Sequence, residues 1–104
     1  MSTEATKLVV SRIGSVEKLE VFVVVARAAE QTTIIELVNL TRLPASIVRH
    51  ALRELETAKL VETTSRGTVR LITRDARERA TITEIVDGYG TYRGMLERAT
   101  PTGS

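Results

Sequence analysis

Residues 33–72 read TIIELVNLTRLPASIVRHALRELETAKLVETTSRGTVRLI, and the breaks inside this stretch decide the fold. Thr33 and Glu36 stand at the spacing of a capping box, where each side chain can satisfy a free backbone N–H at a helix start. The helix they open is short, about Ile34 to Leu40, with Ile34, Leu37 and Val38 as its burial candidates. Thr41-Arg42-Leu43-Pro44 ends it. A second helix opens near Pro44, since a first-turn residue has no intrahelical use for an N–H. It runs to Glu56 with Val48, Ala51, Leu52 and Leu55 on one face, while Ser46, Arg49, His50 and Arg53 point elsewhere. Leu60–Thr64 and Thr68–Ile72 are β-rich runs on either side of Ser65-Arg66-Gly67, which predicts a hairpin.

Upstream, Ser15 is placed to cap a long helix, with Gly14 outside it. Val16, Leu19, Phe22, Val23, Ala26 and Ala29 recur at three and four residues. Val21, Val24 and Val25 read as strand on propensity. The flanking Glu17-Lys18, Glu20 and Arg27-Ala28-Ala29-Glu30 continue the helical pattern, so helix is the reading, covered from two directions. Met1–Lys7 carries no period and reads as a loose tail; Leu8–Ile13 fits a strand, a helix or an arm that clasps a partner. Downstream, Thr73 is a candidate cap for a long last helix. Its stripe is Ile82, Ile85, Val86, Tyr89, Tyr92, Met95 and Leu96, and Gly88, Gly90 and Gly94 either permit a close crossing or mark a break.

The expected organisation is a flexible or dimer-clasping arm over 1–14, a central domain over 15–74, a dimerisation helix over 75–99 and a tail over 100–104. At 104 residues the chain suffices for one modest core. Its 42% hydrophobic and 27% charged residues place it among globular rather than disordered sequences. Without cysteine there are no disulfides or thiolate metal sites, and one histidine cannot build a multi-histidine centre. No cofactor is expected. The N-terminus lacks a basic-then-apolar leader layout and the longest apolar run, Val21–Ala26, is far short of the roughly 20 residues a membrane span needs. A cytoplasmic location is expected. The net charge of +2 is unevenly spread: residues 1–41 carry −1, residues 42–79 carry +4 and residues 80–104 carry −1. A positive middle third calls for a partner.

The order helix, short helix, turn, helix, hairpin, long helix resembles the winged helix–turn–helix regulators, and the MarR-like group in particular. The resemblance covers roughly residues 15–80. It is carried by Thr33-Ile34-Ile35-Glu36-Leu37, by residues 44–56 (PASIVRHALRELE), by Ala58-Lys59-Leu60-Val61-Glu62 and by Arg70-Leu71-Ile72-Thr73. It implies a mostly α domain with a small β-hairpin and an additional C-terminal helix. It further implies that the second paired helix enters the major groove, that the hairpin wing touches phosphates or the minor groove, and that terminal helices pair two subunits. Such families place glycine where this chain has Arg42 and Lys59, so either the turns differ or the fold absorbs roughly 1–2 kcal/mol at each. They commonly place a small polar residue where it has Ile47.

Arg49 and Arg53, four apart, can reach one groove, and a guanidinium can pair with a guanine edge. Ser46 and His50 can make shorter contacts, and Ile47 can touch a thymine methyl or belong to a protein interface. Arg66 and Arg70 on the wing, with Arg42 and Arg74 flanking, are candidates for backbone contacts that position without reading sequence. The alternative is a solvated face in which these arginines pair with Glu54, Glu56 and Glu62. For the C-terminal stripe the competing readings are a homodimer interface and folding back on Val21, Val24 and Val25 of the same subunit. Catalysis is not expected: neither a Cys–His pair nor a phosphate-cradling glycine loop is present. The expected function is therefore selective double-stranded DNA binding by a small dimeric regulator, by default a repressor, with room for a small-molecule or protein effector. The rivals are a protein-interaction module and a nonspecific architectural chromosome protein.

Overall fold

The computed structural model describes residues 3–28 and 30–99. Helix α1 (Thr3–Lys7) runs directly into a π-helical segment, Leu8–Ile13, closed by a left-handed Gly14 whose N–H reaches back five residues to the Val9 carbonyl at 2.8 Å. Helix α2 (Val16–Arg27) follows, then β1 (Thr32–Thr33), α3 (Ile34–Thr41), α4 (Ala45–Thr57), β2 (Val61–Thr63), β3 (Thr68–Leu71), α5 (Ala76–Asp87) and α6 (Tyr89–Ala99). The three strands form one antiparallel sheet in the order β1-β3-β2. The hairpin register sets Val61 opposite Leu71, Glu62 opposite Arg70 and Thr63 opposite Val69, while β1 sets Thr32 opposite Val69. The domain is thus mostly helical with a small sheet. Among the described residues no helix is long and apolar enough to cross a membrane.

The core is built on α2. Leu19, Val21, Phe22, Val23 and Val25 are all buried, and they meet α3, α4, α5, α6 and β3. Packed over most of the helix circumference, the β-branched residues here remain helical because burial outweighs their small intrinsic preference for strand. The helix ends at Arg27, earlier than the sequence pattern suggests, and Ala29 lies outside the described residues.

Local caps explain most boundaries. Ser15 Oγ accepts from the Lys18 N–H at 3.2 Å, and Thr33 Oγ1 accepts from the Glu36 N–H at 3.2 Å. The Glu36 carboxylate accepts from the Thr33 hydroxyl rather than from its backbone, so the box is only half closed. At α5 the expected cap, Thr73, gives way to Asp75, whose carboxylate accepts from the Glu78 N–H at 2.8 Å.

Both positions where a glycine would be usual adopt the left-handed conformation with the side chain in place: Arg42 and Lys59 each have φ 61°. The Arg42 N–H returns to the Val38 carbonyl at 2.9 Å, the single bond of a left-handed helix stop. Around Lys59 the pair Leu60 N–H to Leu55 O and Lys59 N–H to Glu56 O, both 2.9 Å, makes the two-bond Schellman closure. These bonds hold the strain in place.

At the two ends of the chain a loose tail gives way to helix, and the alternatives left open for Leu8–Ile13 and for the C-terminal glycines are decided. The segment expected as a tail and arm is helical from Thr3 and contributes Ala5, Leu8, Val9 and Ile13 to the subunit's own core. Four apolar residues at three- and four-residue spacing were enough to bury it. The last helix is also divided, at Gly88. A Cβ there would stand 3.2 Å from both the Glu84 carbonyl and the Tyr92 ring, whereas Gly90 has nothing within 4 Å. The tail expected over 100–104 lies outside the described residues.

Lys59→Gly is expected to raise stability by about 1 kcal/mol, read as a Tm increase of several degrees, because it removes the left-handed penalty without touching the core. Gly88→Ala is expected to lower stability by roughly 1–3 kcal/mol in denaturant titration, through the enforced shift of the Tyr92 ring.

Candidate nucleic-acid interface

Pro44 precedes α4, where its missing N–H costs nothing and its extended backbone turns the chain into the helix. Val48, Ala51, Leu52 and Leu55 are buried, chiefly against α2, which holds the helix in one rotation. At about 100° per residue, Ser46, His50 and Arg53 then fall within about 60° of one another on the opposite side. Arg49 lies on one flank of this strip and Ile47 on the other. All five side chains are exposed.

Arg49 and Arg53 line one recess of about 420 Å3 together with Ile34, Leu52, Glu56 and Thr63. Ile47 and His50 line another of about 480 Å3, which Ser15, Glu17 and Lys18 of the α2 start complete with Leu43 and Ala51. Arg42 is exposed between α3 and α4. Arg66 is exposed in the β2–β3 turn, where Gly67 takes φ 80° and Thr64 Oγ1 accepts from the backbone N–H groups of Arg66 and Thr68 at 3.3 Å each.

The carboxylates sort these cations. Glu54 is 3.9 Å from Lys18, and Glu62 pairs with Arg70 directly across the hairpin. Among the described residues no ion pair engages Arg42, Arg49, Arg53 or Arg66. Arg70 therefore follows the solvated-pair alternative, and the other four do not. Such an exposed pair contributes little and can exchange partners. Arg74 is exposed and also lacks an ion pair among the described residues.

Much of the stripe expected to form a dimer interface packs within the subunit. Ile82, Ile85, Tyr92 and Leu96 are buried in the core, and Val86, Tyr89 and Met95 pack against it. The reason is α2: its second apolar face needs cover, and the break at Gly88 lets α5 and α6 both reach it. An interface that used Tyr92 or Leu96 would require α6 to leave its own core, whereas Val86, Tyr89 and Met95 are half-buried where they stand. Tyr92, 1% exposed, donates to Glu84 Oε2 at 2.7 Å, and Tyr89 donates to Glu20 Oε1 at 3.1 Å. Burial first, and then the adjoining Glu84 carboxylate, push the Tyr92 hydroxyl up to about 12. Burial and Glu20 likewise raise Tyr89, while the Tyr89 and Glu20 charges raise Arg93.

Lys18 escaped the sequence reading as a neighbour of α4. It lies in the first turn of a different helix, and only the α2–α4 packing brings it beside Ile47 and His50. Its spacing in the chain carries no signal of that placement. Comparison with protein-family models, curated proteins and solved structures returns no match.

The fold favours neutral Tyr92, so its contribution is complete below pH 10, its unfolded value, and declines as pH rises from there through about 12. Tyr92→Phe is expected to cost about 1 kcal/mol at pH 8 and to lose stability less steeply than the wild type between pH 10 and 12 in urea titrations.

Proposed function

We propose that the chain is a winged helix–turn–helix domain that binds double-stranded DNA, with α3 and α4 as the paired helices, α4 in the major groove and the β2–β3 turn as the wing. A role in transcription regulation by occupying an operator, with repression as the simplest outcome, follows from that binding. The reading is carried by one observation: Arg49 and Arg53 stand on the exposed side of a helix anchored by its opposite face, with no ion pair among the described residues. Arg42 and Arg66, equally unpaired, extend the positive surface from the turn before α4 to the wing. Two guanidiniums bordering one recess suit bidentate donation to guanine edges, and the flanking arginines suit phosphate. Ser46 and His50 lie between them as shorter contacts.

A protein-interaction module is the second reading, favoured by Ile35 and Leu40 of α3, which are 73% and 65% exposed. Large apolar side chains left in water commonly mark a contact surface. Pairing of two copies is a separate matter; with α6 in place, the half-buried Val86, Tyr89 and Met95 are the part of the α5–α6 stripe open to it.

An electrophoretic titration of genomic fragments against competitor DNA at two salt concentrations tests the first reading. Selective binding is expected, with Arg53→Ala or Arg49→Ala weakening it about tenfold or more. Arg66→Ala is expected to weaken all sequences alike and to reduce the salt slope by about one. Binding that is nonselective and vanishes at moderate salt favours the protein-interaction module.

A further inference from the structure

We infer that Ile47 is a specificity residue that reads the C5 methyl of a thymine in the major groove; the inference rests on the DNA-binding reading above. Among the described residues four large apolar side chains are exposed: Val10, Ile35, Leu40 and Ile47. Of these, Ile47 alone belongs to α4, beside the strip of Ser46, His50 and Arg53, and it is 39% exposed. It is accompanied by apolar neighbours: Leu43 and Ala51 line the same recess, with Lys18 and His50 at its polar boundary and Glu17 the single carboxylate there.

An isoleucine on a cationic face can neither neutralise a phosphate nor exchange hydrogen bonds with a base edge. Its best complementary group in the major groove is the thymine methyl, the one alkyl group beside the donors and acceptors of the base edges. The side chain is also well suited to the task, because β-branching fixes its first torsion in a helix and little rotamer freedom is lost on contact. Its position on the flank of α4 away from Arg49 places that thymine to one side of the base pair the arginines address. Within the recess Leu43, Ile47 and Ala51 supply the apolar contact for a methyl group. A cytosine methylated at C5 offers the same group, so the recognised chemistry is the methyl and not the rest of the base.

The test begins with sites selected by the whole chain from a randomised duplex pool. Each thymine of the selected site is then replaced singly by uracil, which removes only the methyl. Wild-type affinity is expected to fall roughly fourfold at one position and to stay level at the others. Ile47→Ala is expected to bind the thymine and uracil duplexes equally, and Ile47→Val to keep part of the difference. Because the side chain is exposed, both variants are expected to melt like the wild type. Uracil without effect at every position, an equal loss in Ile47→Ala, or an Ile47→Ala variant with undiminished affinity would each overturn the inference, the last assigning the side chain to a protein partner. Arg53→Ala, which lowers affinity for both duplexes alike, reports on the DNA-binding reading alone. A chain that binds no duplex overturns both.

Discussion

The burial of most of the circumference of α2 governs everything else in this domain. Leu19, Val21, Phe22, Val23 and Val25 cover more than half a turn of the helix, so the remaining elements must enclose them, while Glu17 and Arg27 stay exposed. A helix apolar around most of its circumference is a core element by necessity. α4 takes one side with Val48, Ala51, Leu52 and Leu55, and that choice turns its arginines outward. α5 and α6 take another side with Ile82, Ile85, Tyr92 and Leu96, and that choice turns most of their apolar stripe inward. The outward arginines of α4 and the inward C-terminal stripe have the same cause.

The charge pattern follows from the same packing. Of nine cationic residues between Arg42 and Arg79, Arg70 is tied across the hairpin to Glu62 and Arg77 to Glu4 at 2.6 Å. Glu54, exposed on the Ile47 flank of α4, stands 3.9 Å from Lys18. What remains around α4 is a set of arginines without an ion pair among the described residues, with a single carboxylate, Glu56, in the recess of Arg49 and Arg53. A surface of that kind attracts anions at long range and orients them by guanidinium geometry at short range.

Much of the fold was legible because its signals are local. The Ser15 and Thr33 caps, the stop before Pro44, the α4 face and the hairpin around Gly67 each depend on residues within a turn of one another. The left-handed Arg42 and Lys59 were legible as positions but not as outcomes. A chain either pays that strain or changes the turn, and only the surrounding hydrogen bonds decide. Strand β1 was not legible: two threonines carry no period, and their pairing partner Val69 lies 37 residues beyond Thr32.

By itself the sequence determined which faces of the central helices are apolar, where α2, α3 and α4 begin, and that positive charge gathers in the middle third. These follow from side-chain chemistry and backbone preference over a few residues. The tertiary structure alone decided which apolar faces meet each other, and so which surfaces remain for a partner. Ala5, Val9 and Ile13 could have clasped a second copy, and Tyr92 and Leu96 could have paired with one. Both sets instead close the core of their own subunit, because the unsatisfied side of α2 lies within reach of the same chain.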